Sequence, residues 1–355
     1  MEKLFQYFAR ASASFVLVIL LSTLVVLYIN AKPAIDEYGL HFIIDTRWGV
    51  EVPITDSSSN TASTQNKGHN PVATSPTIST ANGSSTNLLA GADSTQHDQS
   101  LDSLDDFSNL DETIPTDDEV GDGTANPKTR TIYGGAVPII GSLCTIIIAM
   151  VLSIPVALGI AVFLSEIAPE RLSKPVGIAI ELLAAIPSII YGMWALFYMG
   201  PMVSHYIGGH SVSLLVAGMV LGVMVIPFMA ALSRDAINTT PDVLKESAYS
   251  MGATKFEVVK DIIFPYAKSG IVGSIIVSFG RGIGETMAVA FVIGGVFQIV
   301  GKVTDPTNSI PVVLANNFAE SSGLSMSVLY YLALILFIVS FSIIFLAKYF
   351  LLRRK

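Results

Sequence analysis

The feature that most constrains this chain is a succession of apolar runs, each about long enough to cross a bilayer. They lie at Ala11–Ile29, Ala136–Leu164, Val176–Met199, Val212–Leu232, Gly270–Val300 and Ser327–Ala347. A hydrocarbon core about 30 Å thick takes about 20 apolar residues of helix, and every backbone N–H and C=O inside it must be paired internally. Six runs therefore predict an all-α polytopic membrane protein with six transmembrane helices. Composition agrees: 51% of residues are hydrophobic and only 14% are charged, against about a quarter charged in soluble domains.

The first run follows Lys3 and Arg10, as the apolar core of a signal peptide would. Asn30-Ala31-Lys32-Pro33 is a poor cleavage site, so residues 1–30 are expected to be a short N-terminal segment and a retained anchor helix. The net charge of −8 is unevenly spread, because residues 31–134 hold 5 Lys and Arg against 16 Asp and Glu. That segment reads as one long external loop. Ala34–Val50 keeps Tyr38, Phe42 and Trp48 and is expected to pack on the outer face. From about 53 to 130 the sequence turns to Ser, Thr, Asn, Asp and Gly. Such a composition buries too little apolar area to offset ordering entropy, which predicts a disordered acidic insertion. Its acidic run, Asp102–Asp122, reads as a solvated, self-repelling tether. Asn82-Gly83-Ser84 is a glycosylation sequon by pattern only.

Orientation follows from the basic residues of the short loops. One side holds Lys3, Arg10, Arg171, Lys174, Arg234, Lys245, Lys255, Lys260, Lys268, Lys348, Arg353, Arg354 and Lys355, and the other only Lys302. Both termini are thus expected in the cytoplasm. Cys144, the single cysteine, reads as a small buried hydrophobe. His205 and His210 have a spacing that can hold a metal, but solvated loop residues are the expectation. No cofactor, metal or nucleic-acid partner is expected.

Between the fourth and fifth runs lies a polar helical hairpin, residues 241–265. Thr240 is placed to cap a helix starting at Pro241, with Leu244, Ala248 and Met251 at helical spacing and Gly252 to end it. Thr254 and Glu257 form a capping-box pair for a second helix carrying Phe256, Val259 and Ile263, which Pro265 is expected to close. Its apolar face is expected to lie in a partner's groove.

Inside the runs, Pro155 and Pro187 are expected to kink their helices. Glu181 sits near a span end and reads equally as an interfacial residue. Arg281 and Glu285 are mid-span, where a charge costs at least roughly 2.5–3.5 kcal/mol on insertion scales and marks a solute route by default. Four residues apart, they are expected to share a helix face and pair. Gly280, Gly282 and Gly284 remove bulk around them, for close helix packing or passage of a small solute. A guanidinium suits an oxyanion; chemistry alone leaves phosphate, sulfate and molybdate open.

Glu246-Ser247-Ala248, then Gly252, then Ile262-Ile263-Phe264-Pro265 resembles the coupling loop of ABC-transporter permeases, with Ser247 and Phe264 as mild departures. Gly280-Arg281-Gly282-Ile283-Gly284-Glu285-Thr286-Met287-Ala288-Val289 resembles the signature of phosphate-specific ABC permeases. Its Met-Ala-Val ending points to the first of the two membrane subunits. Tyr133–Pro138 and Glu181–Gly192 agree, and the likeness covers roughly 131–355 together with the first span and Tyr38–Val50, but not about 53–130.

The resemblance implies a type I ABC-importer permease in the bacterial inner membrane, with residues 135–355 as its transmembrane domain. It implies a second permease subunit, two copies of an ATP-binding subunit, a periplasmic phosphate-binding protein and inorganic phosphate as cargo. Arg281 and Glu285 would line the phosphate route. Glu246, Ser247, Ala248 and Gly252 would couple to the ATPase. The chain has no Gly-x-x-x-x-Gly-Lys-[Ser/Thr] loop, so it is expected to be no enzyme, with hydrolysis left to partners. A permease for another oxyanion is the nearest alternative; a membrane sensor and an ion-gradient transporter are more distant ones.

Overall fold

The structure, a computed structural model, describes residues 2–53 and 129–352. All but the ends of the expected disordered insertion, including Asp102–Asp122 and the sequon at Asn82, lie outside the described residues. Helix α1 (Glu2–Tyr38) extends well past its apolar run, through Asn30, Lys32 and Pro33. A 3-10 turn, Gly39–Ile43, leads to β1 (Trp48–Pro53), which pairs with β2 (Thr129–Tyr133) in a two-stranded sheet.

Aromatic side chains fasten this region to the helices. Trp48 stacks on Phe297 with centroids 4.7 Å apart and rings 3° from parallel, and meets Tyr133 edge-on at 5.3 Å. Phe42 stacks on Tyr331 at 4.7 Å. Each such pair adds about 0.5–1.5 kcal/mol beyond the area it buries. Nearby, the Arg47 guanidinium holds the Asp45 carboxyl down at about 2. A depressed carboxyl stabilises the fold above its unfolded pKa, and that contribution fades as pH falls through about 2.

Helix α2 (Ala136–Val162) runs unbroken through Pro155 and ends in a wide π-type turn at Phe163–Ile167. The expected span Val176–Met199 is instead two helices meeting at 88°. They are α3 (Glu170–Ala184) and α4 (Ser188–Trp194), the latter continuing through a π-type turn at Ala195–Met199 into α5 (Gly200–Ile207). Pro187 has no N–H to offer the Leu183 carbonyl, one turn back. That carbonyl accepts the Ile186 N–H at 3.3 Å and the Tyr191 hydroxyl at 2.9 Å instead, so the chain turns without stranding it.

Helix α6 (Leu214–Asn238) is the centre of the bundle and packs along α2 and along the helix at Phe264–Ile283. Ile146 and Ala149 of α2 meet Leu221, Met224, Val225 and Met229 of α6 in a fully buried seam. Close contact there comes from small residues: at Gly218 an added Cβ would collide with Ile148. This is how membrane helices pack when apolar surface gains nothing by leaving lipid.

The hairpin opens with α7 (Asp242–Ser250), one residue later than expected. Pro241 takes the cap position, and the Thr240 hydroxyl is buried without a hydrogen-bond partner. Gly252, at φ +90°, makes the turn. The capping box of Thr254 and Glu257 forms as expected and starts α8 (Lys255–Glu257). Pro265 does not close this helix. A π-type turn at Val258–Ile263 leads directly into α9 (Phe264–Ile283), giving 29 continuous helical residues from Lys255 to Ile283. A widened turn lets carbonyls find donors one residue further on, which absorbs the missing proline N–H.

The expected span Gly270–Val300 is also corrected: the helix stops at Ile283. Residues 284–309 form short α10 (Met287–Ala290) and a folded-back segment, pinned where Gly294 bridges Thr307. Helices α11 (Ile310–Asn317) and α12 (Leu324–Leu352) complete the described chain, α12 lying against α1. Among the described residues, five helices are long and apolar enough to cross a membrane, or six if the bent α3–α5 segment counts as one span.

Candidate functional site

The site is built where α9 ends. Gly284 and Glu285 leave the helix, and the Glu285 carboxylate turns forward to accept the Ala288 N–H at 3.2 Å, capping α10. The expected pairing with Arg281 is therefore not made. No ion pair joins the two among the described residues, because the break after Ile283 removes the shared helix face. The Arg281 guanidinium instead lies over the Phe228 ring of α6, 5.2 Å from its centroid. Arg281 is exposed, while its neighbours Gly282 and Ile283 are buried.

The three glycines divide the two roles expected of them. At Gly282 an added Cβ would strike Ile146 of α2, and at Gly280 it would press on Ile344 of α12. At Gly284 it would meet open space save its own helix's Gly280 carbonyl. Packing thus fixes the residues flanking Arg281, and room is left beside Glu285. On the far side, Gly192 of α4 brings that helix against the backbone of Ala288. The bend at Pro187 is what points α4 there.

Beside Glu285 lies a small cleft, lined by Ser142, Thr145, Leu221, Gly282, Ile283, Val289, Ser309 and Pro311 as well. Ser142 and Thr145 belong to α2, and Ser309 immediately precedes α11, so the folded-back segment brings distant hydroxyls together. Ser142 accepts the Ile310 N–H at 2.8 Å and ties that segment to α2. Sequence reasoning missed Ser142, Thr145, Ser309, Tyr191 and Phe228. Ser142 and Thr145 are marked only by polarity within a span, and Ser309 lies outside every expected run. Gly141 faces the Asn308 carbonyl so closely that a Cβ would collide with it. Gly141→Ala is expected to destabilise the protein by about 1–3 kcal/mol, read as a lowered Tm of the purified complex.

The hairpin residues are also placed. Ala248 is buried with Val258 and Ile263 against Ala161 of α2 and Ile237 of α6. Glu246 and Ser247 are exposed, and the Ser247 hydroxyl donates to the Val243 carbonyl at 2.7 Å. The apolar stripe read from spacing splits in two: Met251 and Phe256 point outward, 89% and 73% exposed. Lys245 forms a 2.7 Å ion pair with Glu166 at the end of α2, their side chains 16% and 11% exposed. Arg234 of α6 pairs with Glu181 of α3 at 2.9 Å, so Glu181 joins two helices. Cys144 is only half-buried. His205 and His210 are exposed, His205 edge-on to Tyr206, and neither joins a metal-holding group among the described residues.

With this geometry in hand, the sequence profile described as "Binding-protein-dependent transport system inner membrane component" matches residues 138–355. The chain belongs to that family. Among proteins similar to this permease-family chain is the "Phosphate transport system permease protein PstC" of Pasteurella multocida. The two are 44% identical over 235 residues, 61% of this chain and 73% of that protein. The protein of the same name from Haemophilus influenzae is 42% identical, over 61% of this chain and 75% of its own length. A "Probable phosphate transport system permease protein PstC" of Methanocaldococcus jannaschii is 33% identical, over 64% and 78%. An inward-facing MetNI methionine ABC transporter superposes with a TM-score of 0.50 at 20% identity, covering 60% of this chain and 92% of that one. That likeness shows the type I ABC-importer permease fold.

Proposed function

We propose that this chain is the first membrane subunit of an ATP-driven importer that carries inorganic phosphate into the cytoplasm. The carrying observation is the 40–44% identity to phosphate transport permeases of several bacteria, each matched over about three quarters of its length. The site supports it. Among the described residues no carboxylate pairs with Arg281, so its donors remain available to an oxyanion. A second permease subunit completes the route, two cytoplasmic ATP-binding subunits power it, and an external phosphate-binding protein delivers the ion. Both termini and the 241–265 hairpin face the cytoplasm. Exposed Met251 and Phe256 give the hairpin an apolar surface for the ATPase, with Glu246, Ser247 and Gly252 beside it.

In this reading the hairpin moves when the ATPases close on ATP, the helices rock outward, and phosphate passes Arg281 and Glu285 on its way in. The test is radiolabelled phosphate uptake at low external concentration, in cells lacking their own high-affinity system. The cells express this chain with its sister, ATPase and binding protein. Uptake that depends on this chain and resists excess sulfate is the expected result. Uptake of sulfate or molybdate in its place would move the substrate and keep the architecture. An assembled complex that imports no oxyanion would end the transport reading.

A further inference from the structure

We propose that Phe228 of α6 is a positioning residue for Arg281, holding the guanidinium on the ion's route without cancelling its charge. This rests on the phosphate reading above. A guanidinium ends a long side chain that samples many rotamers unless something holds it. Packing at Gly280 and Gly282 fixes the backbone on either side of Arg281, but those contacts do not reach the charge. The Glu285 carboxylate is turned away to the Ala288 N–H. Among the described residues the guanidinium makes no hydrogen bond and no ion pair, and its contact is the Phe228 ring, 5.2 Å from Cζ to the centroid. That separation lies inside the ~6 Å range of cation–π attraction.

A carboxylate and a ring differ in what they leave for a ligand. A carboxylate would occupy the fork of N–H donors and neutralise the cation. An aromatic face draws the cation through its quadrupole, so the charge stays uncancelled and no acceptor atom takes a donor. The ring is itself held in place. Phe228 is half-buried and stands in sequence between Pro227 and Met229, both buried, and Met229 belongs to the seam that locks α6 to α2. The cation and its support are therefore on different helices, α9 and α6, and the more central helix sets where the charge stands. A donor fixed before the ion arrives costs no reorganisation as the ion passes. Leucine at this position would keep apolar packing but remove the quadrupole, leaving the guanidinium to sample its rotamers at every passage.

The test is phosphate import by the assembled complex of membrane and ATP-binding subunits in liposomes, with the binding protein saturating so that its own affinity drops out. Phenylalanine carrying one, two or three ring fluorines is placed at Phe228 by nonsense suppression. Each fluorine drains electron density from the ring face while the side chain nearly keeps its shape. Import is expected to fall stepwise along that series. Phe228→Leu should lower it about 2- to 30-fold, the range a cation–π contact spans, and Phe228→Tyr, which keeps the face, should stay close to the unmodified rate. Tm and ATP hydrolysis should hold throughout. If Phe228→Leu does not assemble, the fluorinated series still decides. Phosphate import that ignores ring fluorination would overturn the positioning role alone, because the ring then only packs. Sulfate imported in place of phosphate would overturn the phosphate reading, and the same series read on sulfate would still decide the ring. An assembled complex that imports no oxyanion would overturn both.

Discussion

Arg281→Ala is expected to reduce phosphate uptake by at least about 100-fold, the loss of about 2.7 kcal/mol of transition-state stabilisation, while the assembled complex keeps its Tm or gains slightly. The two halves of that result follow from the same geometry. Arg281 sits in the last turn of α9, and no carboxylate pairs with it among the described residues. Its stabilising contact is the Phe228 ring at 5.2 Å, worth about 0.5–2 kcal/mol. A cation in an apolar span costs roughly 2.5–3.5 kcal/mol or more. The fold therefore gains little from Arg281, and removing it should not loosen the bundle. That balance is what the proposed role of Arg281 on the phosphate route requires. Uptake and thermal unfolding, measured on the same preparation, check both halves; a large fall in Tm alongside lost uptake would make Arg281 a structural residue. Arg281→Lys should recover only part of the activity, because an ammonium cannot present the guanidinium's planar fork.

The second large effect is expected at the Lys245–Glu166 pair, where α7 meets the end of α2. Both side chains are more than four-fifths buried at 2.7 Å separation. Glu166→Ala leaves Lys245 only the longer, exposed contact to Asp242 at 3.7 Å, at a cost of up to about 3–5 kcal/mol for a buried pair broken on one side. That cost falls on the docking of the hairpin, not on the membrane seam of α2 and α6. The expected result is ATP hydrolysis that continues while phosphate imported per ATP falls several-fold. Glu166→Leu combined with Lys245→Met removes both charges and keeps the volume, so it should restore Tm. If the double variant also restores the transport ratio, docking alone was needed. If Tm returns and the ratio does not, the charges themselves carry the coupling.

The elements legible in the sequence were those fixed by local rules. Run length and apolarity located α1, α2, α6 and α12, because lipid leaves the backbone few alternatives to helix. The Thr254–Glu257 capping box and the turn at Gly252 were legible because each involves residues at most three apart. Pro187 signalled a break, though neither its size, 88°, nor the Tyr191 hydroxyl reaching back to the Leu183 carbonyl. The errors arose where one local preference beat another. Arg281 and Glu285 have pairing distance on a helix, but Gly284 and the Glu285 carboxylate end that helix by capping the next one. Pro265 reads as a stop, yet a π-type turn carries the helix through it. The cleft hydroxyls were illegible for a different reason. Ser142 and Ile310 are joined by a hydrogen bond across 168 residues of sequence, and neither has a pattern around it.

The unbroken helix from Lys255 to Ile283 has a mechanical consequence. Its 29 residues make a rod about 40 Å long at 1.5 Å per residue. One end carries the capping box and the outward Phe256, and the other carries Arg281 in its final turn. No loop lies between them to take up slack, so a tilt of about 5° imposed at the hairpin would swing the guanidinium by about 3–4 Å. That is more than a hydrogen-bond length, enough to change a bound ion's partners without any change in the fold of the helix itself. On the proposed transport reading, partner and cargo would act on opposite ends of a single lever.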